Sequence, residues 1–101
     1  NLDFKFKKNI TIVQSKIYLK KIKKTDARID LIKIDVNGHE SSVVKGLAHI
    51  IKRDKPVLII ENNNIIKIYN ILKKYKYKKY YLKNCSLKVH NNQNNANIIF
   101  K

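Results

Sequence analysis

The chain reads as an α/β domain of parallel strands joined by crossover helices, with an antiparallel last strand. Three observations predict this. The run from Leu31 to Val36 is apolar and β-branched apart from Lys33 and Asp35, and it stops at Asn37-Gly38, as a buried strand emptying into a tight turn does. Val43, Val44, Leu47, Ile50 and Ile51 then fall at helical spacing, with Lys45, Lys52 and Arg53 on the other side. After Pro56, Val57 to Ile60 is a second short apolar run, closed by Glu61. Strands that are apolar at successive positions are buried on both faces of a helix-covered parallel sheet, and strand, helix and strand make a right-handed βαβ unit.

In chain order, Asn1 to Asn9 reads as a ragged lead-in, with Phe4 and Phe6 alternating against Lys5 and Lys7. Ile10, Ile12 and Val13 predict a short strand, and Ile17, Leu19 and Ile22 among lysines predict a brief basic helix or turn. Thr25 to Arg28 is a polar connector to the central strand. Gly46 lies inside the amphipathic segment, where a glycine costs about 1 kcal/mol relative to alanine, so close packing or a helix break is expected there. Pro56 opens a strand, where no ladder donor is needed. Asn62 to Asn64 offer N-caps for a helix whose stripe is Ile65, Ile68, Tyr69 and Leu72, running to about Lys74. Tyr75 to Leu82 mixes Lys and Tyr at near-alternating spacing and begins a strand; Leu87 and Val89 mark another. Asn91 to Asn97 is a polar loop, and Ile98 to Phe100 returns antiparallel as the last strand.

At 101 residues the chain is about one small domain. Cys85 is the single cysteine, so there is no disulfide framework or thiol cluster for a metal, and a reducing, cytoplasmic setting is expected. No apolar run approaches the roughly 18 residues of a membrane span, and the start lacks a signal-peptide pattern. The first residue is Asn rather than Met, from which a processed chain or a piece of a longer one is expected.

The net charge of +16 invites a nucleic-acid reading. The excess is nearly all Lys, with Arg28 and Arg53 the only arginines, and the other abundant types include Ile, Asn and Tyr. Lys, Asn, Ile and Tyr have the codons richest in A and T, so a skewed genome produces this profile without selection for binding. Arg, the side chain preferred for bidentate phosphate and guanine contacts, is scarce. A solvated surface is therefore expected rather than a nucleic-acid site.

A doubly wound sheet continues on both sides of its switch point, whereas one side is present here. The strand from Leu31 to Val36 then keeps a hydrophobic edge unless another strand covers it, and natural proteins avoid such edges. Residues 1–101 are accordingly expected to be a single partial domain, the second half of a larger α/β unit.

The chemistry gathers after the central strand. Asp35, His39 and Glu40 place three ionisable groups around Gly38 at a strand end, where open α/β sheets bind ligands. Either carboxylate can act as base, or hold a hydroxyl or a metal, and histidine titrates near neutrality. The plainer reading gives Glu40 to the helix N-terminus, His39 to the surface and Asp35 to the turn amides. HExxH, paired CxxC, GxSxG and Walker-type loops are absent, and no metal is expected.

Asp30-Leu-Ile-Lys-Ile-Asp-Val-Asn-Gly-His-Glu40, followed by Val44-Lys-Gly46, Lys55-Pro56 and a strand ending in Glu61, resembles the FkbM-type methyltransferase domain. That family typically reads D-L-I-K-I-D-V-E-G-H/A-E, V-L-K-G-A, K-P and a strand ending in Glu, and Asn97 to Phe100 is similar to its closing strand. The resemblance runs in order over most of residues 10 to 100. It implies the C-terminal half of a Rossmann-like class I methyltransferase fold, with S-adenosylmethionine as cofactor and a small-molecule or sugar hydroxyl as acceptor. It further implies Asp35, His39 and Glu40 as catalytic groups, with His39 the proton acceptor. Asp35, Asn37 and Gly38 would stand on the cofactor side, and Glu61 on the substrate side of the same crevice. Asn37 stands where the family has Glu, and the family's glycine-rich cofactor loop has no counterpart, since Gly38 and Gly46 are the only glycines. The chain alone is expected to be inactive, its partner being the N-terminal half of the same domain.

Two other readings compete. One is a non-catalytic basic module binding nucleic acid or an acidic partner through Tyr75 to Lys83, where tyrosines among lysines could stack bases. The other is a degenerate methyltransferase remnant, suggested by Asn37.

Overall fold

The computed structural model describes residues 9–13, 27–61, 63–91 and 95–101. Its elements are β1 (Asn9–Val13), β2 (Ile29–Ile34), α1 (Glu40–Gly46), α2 (Ala48–Asp54), β3 (Val57–Glu61) and α3 (Ile65–Leu72). A 3-10 turn (Lys73–Tyr75), β4 (Lys79–Lys83), β5 (Ser86–Val89) and β6 (Asn97–Phe100) complete the set. The lead-in up to residue 8 and the basic helix or turn expected around residues 17–22 lie outside the described residues.

The strands form one sheet in the order β1-β2-β3-β6-β4-β5. β1, β2 and β3 are parallel, so β1 covers the edge of the central strand that the sequence left open. The last strand is antiparallel, as expected, but it is interior: β6 pairs with β3 on one side and β4 on the other. β4 and β5 form a hairpin whose two loop residues, Asn84 and Cys85, both have positive φ, +50° and +61°. That is the backbone of the mirror-image turns that suit the twist of paired strands.

The expected amphipathic helix is broken in two. α1 ends at Gly46 and α2 begins at Ala48. Leu47 between them is fully buried and donates its N–H to the carbonyls of Val43 and Val44. The break keeps Val43, Val44, Leu47, Ile50 and Ile51 all turned into the core. α2 stops at Lys55, which takes the left-handed conformation at φ +47° and donates to the Ile51 carbonyl. Pro56 follows, where a helix cannot continue. At the head of α3, Asn64 occupies the capping position with φ +51° but makes no side-chain capping bond.

Burial alternates along β3 and the second half of β2. Ile32, Ile34, Leu58, Ile60, Ile98 and Phe100 pack with α1, α2 and α3 into one core. Leu31, Val57 and Ile59, on the other face, are only half-buried. The parallel strands are therefore not buried equally on both faces, as the apolar runs suggested. The reason is topological: the β2-to-β3 and β3-to-β4 connections move the same way across the sheet, and right-handed crossovers that do so lay their helices on the same side.

Polar contacts at three places fasten the frame. The Asp54 carboxylate accepts the Ile29 N–H at 2.9 Å and the Arg53 guanidinium at 2.8 Å, while Arg53 also donates to the Ala27 carbonyl at 3.0 Å. The end of α2 is thus tied to the start of β2. The buried Tyr77 hydroxyl donates to the Pro56 carbonyl at 2.6 Å, and burial pushes its phenol well above the ordinary tyrosine range. Arg28 pairs with Asp30 at 3.1 Å, so both arginines serve contacts within the fold.

Candidate functional site

β2 delivers the polar knot. Its last buried residue is Ile34; Asp35 follows, exposed, and the chain then turns over Val36 to His39. The His39 N–H donates to the Val36 carbonyl at 3.3 Å, and Asn37 and Gly38 have φ of +40° and +88°. Positive φ at both central residues is the requirement of a type I′ turn, which Asn and Gly meet at least cost. Asn37 therefore suits this backbone by its conformation alone.

Glu40 opens α1 and folds back. Its carboxylate accepts the Gly38 N–H with Oε1 at 3.0 Å and Oε2 at 3.2 Å, and the residue is 2% exposed. The turn amide is thus taken by Glu40, not by Asp35. A carboxylate in the first turn of a helix is also favoured by the helix dipole. His39 sits at the capping position of α1, exposed, and makes no side-chain capping bond.

β2 and β3 run parallel, with Ile34 beside Ile60, so Asp35 and Glu61 emerge at neighbouring strand ends. The two carboxylates line one cavity of about 230 Å³ together with Lys33, Ile34, Ala96 and Asn97. Asn97 is paired in register with Glu61. The sequence placed Glu61 in the same crevice as Asp35, and the geometry brings these two together. His39 and Glu40 do not line this cavity. Lys33, Ala96 and Asn97 were not singled out from the sequence. Only the register between β3 and β6 brings Asn97 to Glu61, and strand register is not legible from local pattern.

Among the described residues there is no cluster of His, Cys, Asp or Glu suited to a metal ion. None of their helices is long and apolar enough to cross a membrane. The Lys/Tyr stretch is engaged within the fold. Tyr77 is buried, the Tyr81 ring meets His90 edge-on at 6.4 Å, and the Lys79 ammonium lies 4.8 Å above the Tyr69 ring.

Comparison with known proteins gives one family. The family model described as the methyltransferase FkbM domain matches residues 5–79, a span that contains the turn, Asp35 and Glu61. No curated protein and no solved structure matches the chain.

Proposed function

The chain belongs to the FkbM methyltransferase domain family, and from that premise we propose that it forms the C-terminal part of a Rossmann-like class I methyltransferase domain. The reaction proposed is transfer of a methyl group from S-adenosylmethionine to a hydroxyl of a small molecule or sugar. One observation carries the reading: Asp35 and Glu61, at the carboxyl ends of adjacent parallel strands, line one cavity, and this is where open α/β sheets hold their ligands.

The residues suit an acceptor better than a whole cofactor. A cavity of about 230 Å³ falls below the roughly 300 Å³ at which sites for drug-sized ligands begin. Gly38 belongs to the I′ turn and Gly46 ends α1, so neither forms a glycine-rich cradle. The proposal therefore places the cofactor cradle on an N-terminal half of the domain, beyond β1 at the edge of the sheet.

Within this chain the work is positioning and proton removal. Asp35 and Glu61 would accept hydrogen bonds from the acceptor's hydroxyls and fix one oxygen in line. Asp35 would take the proton as the new bond forms, since His39 does not line the cavity that holds the acceptor. Asn37 and Gly38 shape the turn that carries His39, and Glu40 holds that turn. The test is methyl transfer by the natural full-length protein with Asp35→Asn and Glu61→Gln. A general base contributes about 10²- to 10⁴-fold, so a loss of at least 10²-fold is expected for the variant that removes it.

A further inference from the structure

We propose that the acceptor site continues into an apolar subsite between β3, β6 and β4, extended by the exposed aliphatics of β5, which makes the preferred acceptor a hydroxyl compound bearing an alkyl or aryl group. The inference rests on the reading of the Asp35–Glu61 cavity as the acceptor side. β6 is antiparallel to both β3 and β4, so β4 points the same way as β3. The hairpin therefore rises at the end of the sheet that carries Asp35 and Glu61.

A second cavity of about 320 Å³ lies there, lined by Ile59, Tyr81, Leu82, Ala96, Asn97 and Ile99 among others. It shares Ala96 and Asn97 with the acidic cavity, so the two are neighbouring parts of one trough. Chemistry changes along it. Lys33, Asp35 and Glu61 stand at one end, while no charged side chain lines the other.

The sheet register explains the arrangement. Lys33, Ile59, Ile99, Tyr80 and Val89 are successive partners across five strands, so they share the face opposite the helices. On that same face Leu82 is paired with Leu87. Leu82, Leu87 and Val89 are 61%, 41% and 63% exposed. Single exposed aliphatics are ordinary, but a contiguous strip marks a binding surface. This strip begins at the wall of the second cavity, where Leu82 is a lining residue. A ligand with its hydroxyl between Asp35 and Glu61 and its apolar part along Ile59, Ile99 and Leu82 would match both ends.

The experiment titrates the natural full-length protein with methyl β-glucoside and hexyl β-glucoside, followed by backbone amide shifts. The hexyl compound is expected to bind at least tenfold more tightly, which is about 1.4 kcal/mol, and to shift the amides of Leu82, Asn97 and Ile99. Leu82→Asn, at an exposed position that the fold tolerates, should bring the two affinities within threefold. Asp35→Asn should weaken both compounds and keep their ratio. Equal affinities in the wild type, or a preference untouched by Leu82→Asn, would overturn the proposal. So would sedimentation showing a dimer that Leu82→Asn makes monomeric, because the strip would then be an interface between copies. Methyl transfer is measured separately. A hexyl preference without methyl transfer refutes the methyltransferase reading and leaves the subsite standing; methyl transfer without the preference does the reverse.

Discussion

The buried carboxylate of Glu40 accepts the Gly38 N–H with both oxygens, at 3.0 and 3.2 Å. This clasp joins the first residue of α1 to the turn that follows β2, and so it fixes where the exposed His39 between them stands. Glu40 thereby holds the turn that follows β2. Replacing it with Ala removes the acceptor from a part-buried amide, and an unsatisfied buried donor costs about 1–3 kcal/mol. Glu40→Ala should lower urea-unfolding stability by that amount and speed hydrogen exchange at Gly38, whereas Glu40→Gln, which keeps one acceptor, should cost less.

Gly38→Ala separates conformation from space. A Cβ at this position would meet nothing within 4 Å, yet φ is +88°. The left-handed penalty for an L-residue is about 1–2 kcal/mol. Denaturant unfolding should show a loss of that size, with the sheet intact by circular dichroism.

Asp54 makes stability depend on acid. The Arg53 side chain, hydrogen-bonded to it, holds its carboxyl below the usual carboxylate range against some opposing desolvation, and the Ile29 N–H adds to the lowering. A carboxyl depressed in the folded state contributes stability above its unfolded pKa, and the contribution is lost as pH falls through the folded value. Asp54→Asn should therefore destabilise the protein by about 1.5 kcal/mol at pH 7, the scale of a hydrogen bond to a charged group. The gap from the wild type should close as pH falls below about 4. Urea titrations at pH 7 and pH 3 read both numbers.

Tyr77→Phe removes the donor to the Pro56 carbonyl while keeping the ring in the core. The cost should be about 1–2 kcal/mol, and the tyrosine absorbance titration should lose its highest step, since burial pushes this phenol up.

The elements that local pattern alone determines were legible. β2, β3 and α3 follow from apolar periodicity, and the break at Gly46 follows from the cost of glycine within a helix. The long-range facts were not. Nothing near Asn97 signals that β6 inserts between β3 and β4, because strand order is set by contacts distant in sequence. The hairpin turn at Asn84 and Cys85 carries no glycine, the usual mark of positive φ. At the site, Asp35 and Glu61 could be placed together from the ends of parallel strands. That Glu40, not Asp35, takes the turn amide depends on side-chain direction, which spacing around Gly38 leaves open.

The most direct test of the account is transfer of a labelled methyl group from S-adenosylmethionine to a sugar acceptor by the natural full-length protein, wild type against Asp35→Asn and Glu61→Gln. The account predicts transfer by the wild type and a loss of at least about 10²-fold in one variant, with both variants folded. Transfer unchanged in both, or none by the wild type, would contradict it.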